Sequence, residues 1–254
     1  MAVTRPGFVP NVQANVKALE SRRTFVDVKP DSILIARFLP PAFSSGQIFV
    51  RTMNHYNFQQ PDDKSRGMAL ACLAEHGTEE TGDVCKVCEL MEIAEDLKDK
   101  DPVMKKIAAN QGGHPARPRW YGQILIGEKV DGEMKYEGPY LLALPKTAAE
   151  DVVGILKTNE AMGEAYFTDP DKGQAVLVTR NGSGLNTRYK VERSGLIASL
   201  DDIFPNWTEK YLDAAAFMKK LALNVVTPDE QKAAIRDKHG EAIDWAMLEE
   251  NYGF

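Results

Sequence analysis

Alternation of apolar and polar residues predicts several short β-strands along this chain. Two such runs, at 31–41 and 45–55, are separated by a turn rich in proline and serine. The runs at 120–130 and 135–145 flank the turn sequence DGEM, which is typical of a β-hairpin. The segments GQAVLVTRNG and LNTRYKVERSG, within residues 173–195, predict a second hairpin.

Helical spacing of apolar residues marks most of the remaining chain. The segment 146–162, KTAAEDVVGILKTNEAM, predicts an amphipathic helix between the two hairpins. Residues 89–109 predict a charged helix that kinks or breaks at Pro102. From Leu196 onwards the pattern is mostly helical, whereas residues 1–30 predict a basic arm.

Composition is that of an ordinary soluble globular protein, with 254 residues, 27% of them charged. No apolar run approaches the roughly 20 residues of a membrane span, and no secretory signal is recognised at the N-terminus. The net charge is −6, but residues 1–30 hold five basic and two acidic side chains, while residues 61–100 hold five basic and eleven acidic ones. This distribution is compatible with a positively charged groove on an acidic protein.

All three cysteines fall within CLAEHGTEETGDVCKVC, residues 72–88. Cys72, Cys85 and Cys88 offer three thiolates, and the C-x-x-C spacing of the last two allows both to bind one Zn²⁺ ion. A redox C-x-x-C normally opens a helix after a strand in a βαβ unit, whereas this pair follows an acidic loop. The pattern therefore predicts a structural zinc site in a reducing, intracellular compartment.

The residues alone leave the fourth zinc ligand open between two histidines. His76 lies within the cysteine segment and is the nearest in sequence, whereas His55 ends the strand that precedes it. No H-E-x-x-H, deaminase, P-loop or dinucleotide-binding motif is present, so no enzymatic activity is predicted.

About five strands with one intervening helix predict a mixed β protein with helices. We expect an OB-fold-like antiparallel barrel with an inserted zinc-binding subdomain and a helical C-terminal region, although a split β-sandwich would give a similar pattern. The expected boundaries are an N-terminal arm at 1–30, a barrel core at 31–225 with the zinc subdomain inserted at about 56–112, and an acidic C-terminal tail at 226–254.

Cationic and aromatic residues are interleaved in several of the predicted strands, as in surfaces that bind single-stranded nucleic acid. The alternative is that the aromatic rings belong to the core and the arginines to a solvated strand face. Tyr189 and Arg193 share one face of their strand, while Arg188 and Lys190 share the other. The candidate DNA-binding residues are Arg51, Tyr56, Arg117, Arg119, Trp120, Tyr121, Arg180, Arg188, Tyr189, Lys190 and Arg193.

The order of Asn54-His55, Cys72, His76-Gly77 and Cys85-x-x-Cys88, followed by a basic-aromatic strand and hairpin, resembles a known family. It is similar to the zinc-containing single-stranded DNA-binding (helix-destabilising) proteins of large tailed phages, over about residues 30–225. The resemblance implies that His55, not His76, completes the zinc site.

The resemblance also implies roles for individual side chains and for both ends of the chain. Trp120 and Tyr121 match an aromatic pair of the family, and Tyr189 matches a tyrosine that stacks on DNA. The basic cluster before the aromatic pair is thinner than in the family, and Leu185 replaces a second aromatic residue. The N-terminal arm would contact a neighbouring copy on DNA. The acidic tail, through Glu249, Glu250 and Phe254, would bind replication proteins; the alternative is an ordinary surface helix packed through Trp245 and Leu248.

The cationic and aromatic pattern predicts binding of single-stranded nucleic acid. The resemblance implies sequence-independent coating of single-stranded DNA in phage replication, recombination and repair, in the cytoplasm of the infected host cell. Its partners would be single-stranded DNA, further copies of the chain and replication proteins, with no membrane contact. Two alternatives are a zinc-stabilised replication scaffold that binds only proteins and a zinc-dependent nucleic-acid enzyme.

Overall fold

The computed structural model describes residues 25–26, 28–41, 46–59, 67–109, 114–182, 186–210 and 226–254. The chain forms two compact units, each built from two separated stretches of sequence. Unit 1 comprises Met1–Arg51 and Arg119–Met218, and unit 2 comprises Thr52–Pro118 and Lys219–Phe254. The C-terminal residues thus belong to the same unit as the cysteines. Most of the predicted N-terminal arm, with Gly184 and Leu185 of the second hairpin, lies outside the described residues.

Strands and helices alternate along the described chain. The strands are β1 Phe25–Val26, β2 Ser32–Phe38, β3 Val50–Gln59, β4 Gly67–Ala71, β5 Ala116–Val130, β6 Glu133–Leu144, β7 Gln174–Asn181 and β8 Arg188–Ile197. The helices are α1 Leu73–His76, α2 Lys86–Leu97, α3 Pro102–Ala108, α4 Lys146–Met162, α5 Leu200–Ile203, α6 Trp207–Lys210, α7 Pro228–His239 and α8 Trp245–Tyr252. A 3₁₀ turn, Gly240–Ala242, separates the last two helices.

The sheet of unit 1 has the strand order β1-β6-β5-β2-β7-β8. All its pairs are antiparallel except that of the two-residue β1 with β6. Both predicted hairpins are confirmed. Asp131 and Gly132 connect β5 to β6 with φ angles of 54° and 88°, a conformation that Asp-Gly turns adopt readily.

The described strands of unit 1 do not close into a barrel. β1 and β8 lie at opposite ends of the strand order and do not pair with each other. At β8, the backbone amide of Val191 donates instead to the Asp151 carboxylate of α4, at 3.0 Å. The predicted closed OB-fold-like barrel is therefore wrong, because a helix side chain meets the edge that closure would require. The mixed composition, the antiparallel pairing and the C-terminal helices are confirmed.

Helices pack against both faces of the unit 1 sheet. On one face, Val152 of α4 joins Phe38, Ile124 and Leu142 in a buried cluster. On the other, Leu200 and Trp207 join a second cluster with Leu125 of β5 and with Leu39, which directly follows β2. Consecutive strand residues point to opposite faces, so β5 contributes Ile124 to one cluster and Leu125 to the other. The helix predicted at 146–162 is confirmed as α4 over the same residues.

Unit 2 combines the β3–β4 hairpin with α1–α3 and the C-terminal helices α7 and α8. Its core includes Phe58, Leu90, Ile107, Ile235 and Leu248. The predicted break at Pro102 is confirmed, since α2 ends at Leu97 and α3 begins at Pro102. Asp101 caps α3 by accepting hydrogen bonds from the amides of Val103 and Met104.

Among the described helices, none is long and apolar enough to cross a lipid bilayer.

A buried arginine in β2 fixes the segment that follows α4 in unit 1. Arg37 is fully buried, and its Nη1 donates to the carbonyls of Phe38 and Phe167 at 2.7 and 2.8 Å, while Nη2 donates to the carbonyl of Asp169. Burial lowers the pKa of Arg37 to about 10, against the opposing effects of Tyr136 and Asp169. The forked guanidinium satisfies three buried carbonyls that no hydrophobic residue could satisfy.

Replacing Arg37 by lysine should destabilise the protein by about 2–3 kcal/mol, because one ammonium group cannot match the forked geometry and leaves buried carbonyls without donors. Thermal unfolding followed by circular dichroism measures the effect. The same substitution at exposed Arg188 should change stability by less than about 0.5 kcal/mol. Equal losses for Arg37→Lys and Arg188→Lys would contradict this role of Arg37.

Candidate functional site: a metal centre and an open groove

Three stretches of unit 2 bring His55, Cys72, Cys85 and Cys88 together. His55 lies in β3 opposite Leu70 of β4, and Cys72 directly follows β4 with its amide donating to the Met53 carbonyl at 2.9 Å. Cys85 precedes α2, and Cys88 lies in the first turn of that helix. The hairpin therefore positions two of the side chains, and the beginning of a helix positions the other two.

The donor atoms of these four residues all lie within 4.8 Å of one another, at a mostly buried site. The Sγ atoms of Cys72 and Cys88 are 3.6 Å apart, and the Nε2 of His55 is 3.3 and 3.6 Å from the Sγ atoms of Cys85 and Cys88. Tetrahedral zinc would place two sulfurs about 3.8 Å apart and a sulfur and nitrogen about 3.5 Å apart. The cluster is therefore compatible with a zinc ion held by four protein ligands.

The electrostatics of the cluster favour a thiolate. Hydrogen bonds with Cys72 and Cys88 lower the pKa of the Cys85 thiol, against burial, which raises it. Burial disfavours the charged form of His55, but hydrogen bonds with Cys72 and Cys85 outweigh it and raise the pKa of His55 to about 9. Zinc binds the thiolate form of cysteine and neutral imidazole, so it would take the place of the protons that the cluster now shares.

Backbone and histidine contacts orient the His55 ring. Its Nδ1 lies 2.6 Å from the carbonyl oxygen of His114, which assigns the proton to Nδ1 and leaves Nε2 for the metal. The His114 ring is buried, stacks on Phe58 with centroids 4.0 Å apart, and contacts the Tyr56 carbonyl through Nδ1 at 2.7 Å. Its Nε2 lies 3.0 Å from the Nε2 of His239.

Burial lowers the pKa of His114 to about 4, with a further contribution from His239. At neutral pH the His114 ring is therefore uncharged and donates from Nδ1 to Tyr56, so its Nε2 accepts a hydrogen bond from His239. A contiguous set of contacts thus links helix α7, which ends at His239, to His55 of the histidine–cysteine cluster.

His76 lies outside the cluster and has a different partner. Its Nε2 accepts a hydrogen bond from the backbone amide of Met53 at 2.8 Å. Between the two histidines left open by sequence spacing, the structure brings His55 to the cysteines and uses His76 to bind the β3 backbone.

Gln231 of α7 supports the metal site from the C-terminal region. Its side chain is fully buried, and its Oε1 accepts a hydrogen bond from the Lys86 amide at 2.9 Å. Its Nε2 donates to the Ala71 carbonyl at 3.0 Å. Ala71 precedes Cys72 and Lys86 follows Cys85, so one amide joins the two chain segments that deliver cysteines. Sequence analysis missed Gln231, because nothing in its local sequence distinguishes it from a surface glutamine.

The residues predicted as a partner-binding tail pack within unit 2. Phe254 is only 2% exposed, and its ring stacks on Trp245 with centroids 6.1 Å apart. Glu249 pairs with Arg236 and, at 3.5 Å, with Lys232, while Glu250 is exposed. In this structure the Phe254 ring is a core residue of unit 2.

The predicted DNA-binding residues of β7 and β8 divide between the two faces of the sheet. Tyr189 packs against the core on the α4 face, with the guanidinium of Arg180 5.7 Å from its ring centroid. Arg193 forms an ion pair with Glu164 at 2.7 Å. The exposed side chains of Arg188 and Lys190 lie on the opposite face, and Lys190 pairs with Glu192 at 2.7 Å.

The other predicted residues are similarly dispersed. Trp120 and Tyr121 are consecutive in β5 and so point to opposite faces of the sheet. Arg117 is exposed and Arg119 is half-buried, while Tyr56 lies in unit 2. Because β2 and β7 lie between β5 and β8, the structure does not gather the predicted aromatic residues into one surface.

An open groove in unit 1, with a volume of about 560 Å³, does contain two of the predicted residues, Arg51 and Trp120. Phe49 also lines it, and helix α4 forms one wall with Lys146 and Lys157. The groove therefore combines two aromatic rings with three cations and one carboxylate, that of Glu150. Sequence analysis missed Phe49, Lys146 and Lys157, although Lys146 and Lys157, eleven positions apart, share one face of an α-helix and give a recognisable signal.

No known protein family matches the chain, and no curated protein is significantly similar to it. The resemblance to phage single-stranded DNA-binding proteins therefore remains a hypothesis from the motif. What stands without it is a buried cluster of one histidine and three cysteines, compatible with zinc, in a protein with an antiparallel sheet.

Purified protein should contain about one zinc ion per chain, and His55→Ala should lose most of it, because three remaining donors leave the ion an incomplete shell. Metal content is measured by mass spectrometry and stability by thermal unfolding. His76→Ala is the matched control and should retain zinc. Loss of zinc in His76→Ala, with retention in His55→Ala, would reverse the assignment.

Gln231→Leu should lower the melting temperature and speed zinc loss to a chelator, since it leaves the Lys86 amide and the Ala71 carbonyl without partners, at about 1–3 kcal/mol each. Chelator competition, followed with a chromogenic zinc indicator, gives the rate. Ala233→Leu, at an exposed position of α7, should behave as the wild type. Unchanged zinc release in Gln231→Leu would show that the metal site does not need this bridge.

Proposed function

We propose that this protein binds single-stranded DNA without sequence preference and that its metal centre is structural. The observation that supports the proposal most directly is the open groove of unit 1, in which Trp120 and Phe49 lie with Arg51, Lys146 and Lys157. Proteins bind single strands by stacking bases on aromatic rings and by placing cations along the phosphate backbone. The groove offers both kinds of contact on one surface.

The chemistry of this groove favours unpaired bases over duplex DNA. The faces of bases inside a duplex are already stacked on their neighbours, so Trp120 and Phe49 can stack only on bases that are free. The cations contribute binding free energy through their attraction to phosphates, and this contribution does not depend on the identity of the bases. Binding should therefore be tolerant of sequence and should weaken steeply as salt concentration rises.

The coordination chemistry supports a structural role for zinc. Three thiolates and one imidazole complete a tetrahedral shell, whereas catalytic zinc sites usually keep one position for water or substrate. The zinc-dependent enzyme is thus the less favoured alternative. The biological setting implied by the family resemblance, phage DNA replication, recombination and repair, belongs to the same proposal.

Fluorescence anisotropy with a labelled oligo-dT of about 16 nucleotides tests the proposal. The wild type should bind this strand more tightly than a duplex of equal length, and less tightly as salt rises. Trp120→Ala should weaken binding by roughly 1–3 kcal/mol, and Arg51→Ala should reduce the salt dependence.

Arg188→Ala is the control, because Arg188 is a sequence-predicted contact that does not line the groove. It should bind nearly as the wild type does. Wild-type affinity in Trp120→Ala together with a large loss in Arg188→Ala would move the binding surface to the opposite face of the sheet. Equal affinity for the duplex and the single strand would contradict the function itself.

A further inference from the structure

Helix α4 presents a patterned wall to the unit 1 groove. Lys146 is its first residue, and Lys157 lies about three turns further on, about 16 Å away along the helix axis. Between them the groove is lined by Ala149, Val153 and Gly154, and Val153 is 39% exposed despite being apolar. With Glu150 one turn after Lys146, the wall has a cation near each end, one carboxylate and an apolar stretch at Val153 and Gly154.

Gly154 keeps the middle of this wall open. A Cβ atom built at this position would meet no atom within 4 Å, so a side chain here would project into free space. Glycine inside a helix costs about 1 kcal/mol relative to alanine, and among the described residues no close contact requires it at this position. Glycine at this position therefore leaves space in the groove for a ligand.

The charges along the wall are unequal. Glu150 also lines the groove and forms an ion pair with Lys146 at 3.6 Å, with both side chains more than 60% exposed. This carboxylate partly neutralises the Lys146 end. Lys157 therefore attracts an anion more strongly than Lys146 does.

We propose that the groove binds a base of single-stranded nucleic acid against Trp120, Phe49 and the Gly154 turn of α4, with the adjoining phosphates at Lys157 and Arg51. The inference rests on the proposed function and assigns it a base-binding subsite. Aromatic rings and an open apolar wall complement the faces and edges of a base, and the cations complement phosphate. A bare polyanion would satisfy only the cations.

Gly154→Leu tests the subsite without removing any contact of the folded protein. Leucine favours the helix over glycine, so the melting temperature should stay the same or rise. Its side chain would fill the groove, and affinity for labelled oligo-dT should fall roughly tenfold. Ala161→Leu is the matched control, since it places the same side chain on an exposed part of α4 that does not line the groove.

A strand of abasic nucleotides, with phosphates but no bases, separates base binding from charge. Wild type and Gly154→Leu should bind this strand equally, whereas Lys157→Ala should weaken binding to both strands and do so more than Lys146→Ala. The tryptophan fluorescence change on adding oligo-dT should also largely disappear in Trp120→Phe, which reports directly on the groove.

The outcomes distinguish the subsite from the function. If the wild type binds oligo-dT and Gly154→Leu binds it equally well, the base-binding subsite is wrong while single-stranded DNA binding stands. If Gly154→Leu weakens binding to oligo-dT and to the abasic strand by the same factor, the groove contacts the backbone and not a base, and the base-binding subsite is wrong. If the wild type binds no single strand, both the function and the subsite fail.

Discussion

Unit 2 depends on the convergence of four donor atoms from a hairpin strand, the residue after it and the first turn of a helix. A two-stranded hairpin is marginally stable by itself, and α1 has only four residues. Burying three thiols and an imidazole without strong partners would add a desolvation cost to elements that are already weak. A metal ion bound by these four residues would offset that cost, because the free energy of metal binding adds to the stability of the folded unit.

The C-terminal helices complete this arrangement from outside the cysteine segment. Gln231 joins the backbone next to Cys72 to the backbone next to Cys85, and the His239–His114 contact leads to the carbonyl that orients His55. These are long-range polar contacts in a buried site, where an unsatisfied group costs more than at the surface. Helix α7 therefore supports the histidine–cysteine cluster, and the loss of either contact should loosen both the helix and the cluster.

The sequence predicted the local elements well because their signals are local. Helix α4, both hairpins of unit 1 and the break at Pro102 follow from periodicity, turn residues and proline chemistry. Barrel closure could not be predicted in this way, since it depends on which group meets the β8 edge, and that group is Asp151, 40 residues away from Val191. The C-terminal segment shows the same limit. Its acidic composition describes the solvent-facing side chains of a helix as well as those of a free tail, and only the packing of Leu248 and Phe254 distinguishes the two.

The nucleic-acid candidates show why adjacency in sequence is a weak guide to a shared surface. Trp120 and Tyr121, or Arg188 and Tyr189, are neighbours in a strand and therefore point to opposite faces. Side chains that line one groove come instead from positions whose spacing places them on the same face of a strand or a helix. Phe49 and Arg51 are two positions apart in an extended segment, and Lys146 and Lys157 are eleven positions apart in a helix. A binding surface on a mixed α/β unit should therefore be sought where these two periodicities bring cations and aromatic rings together.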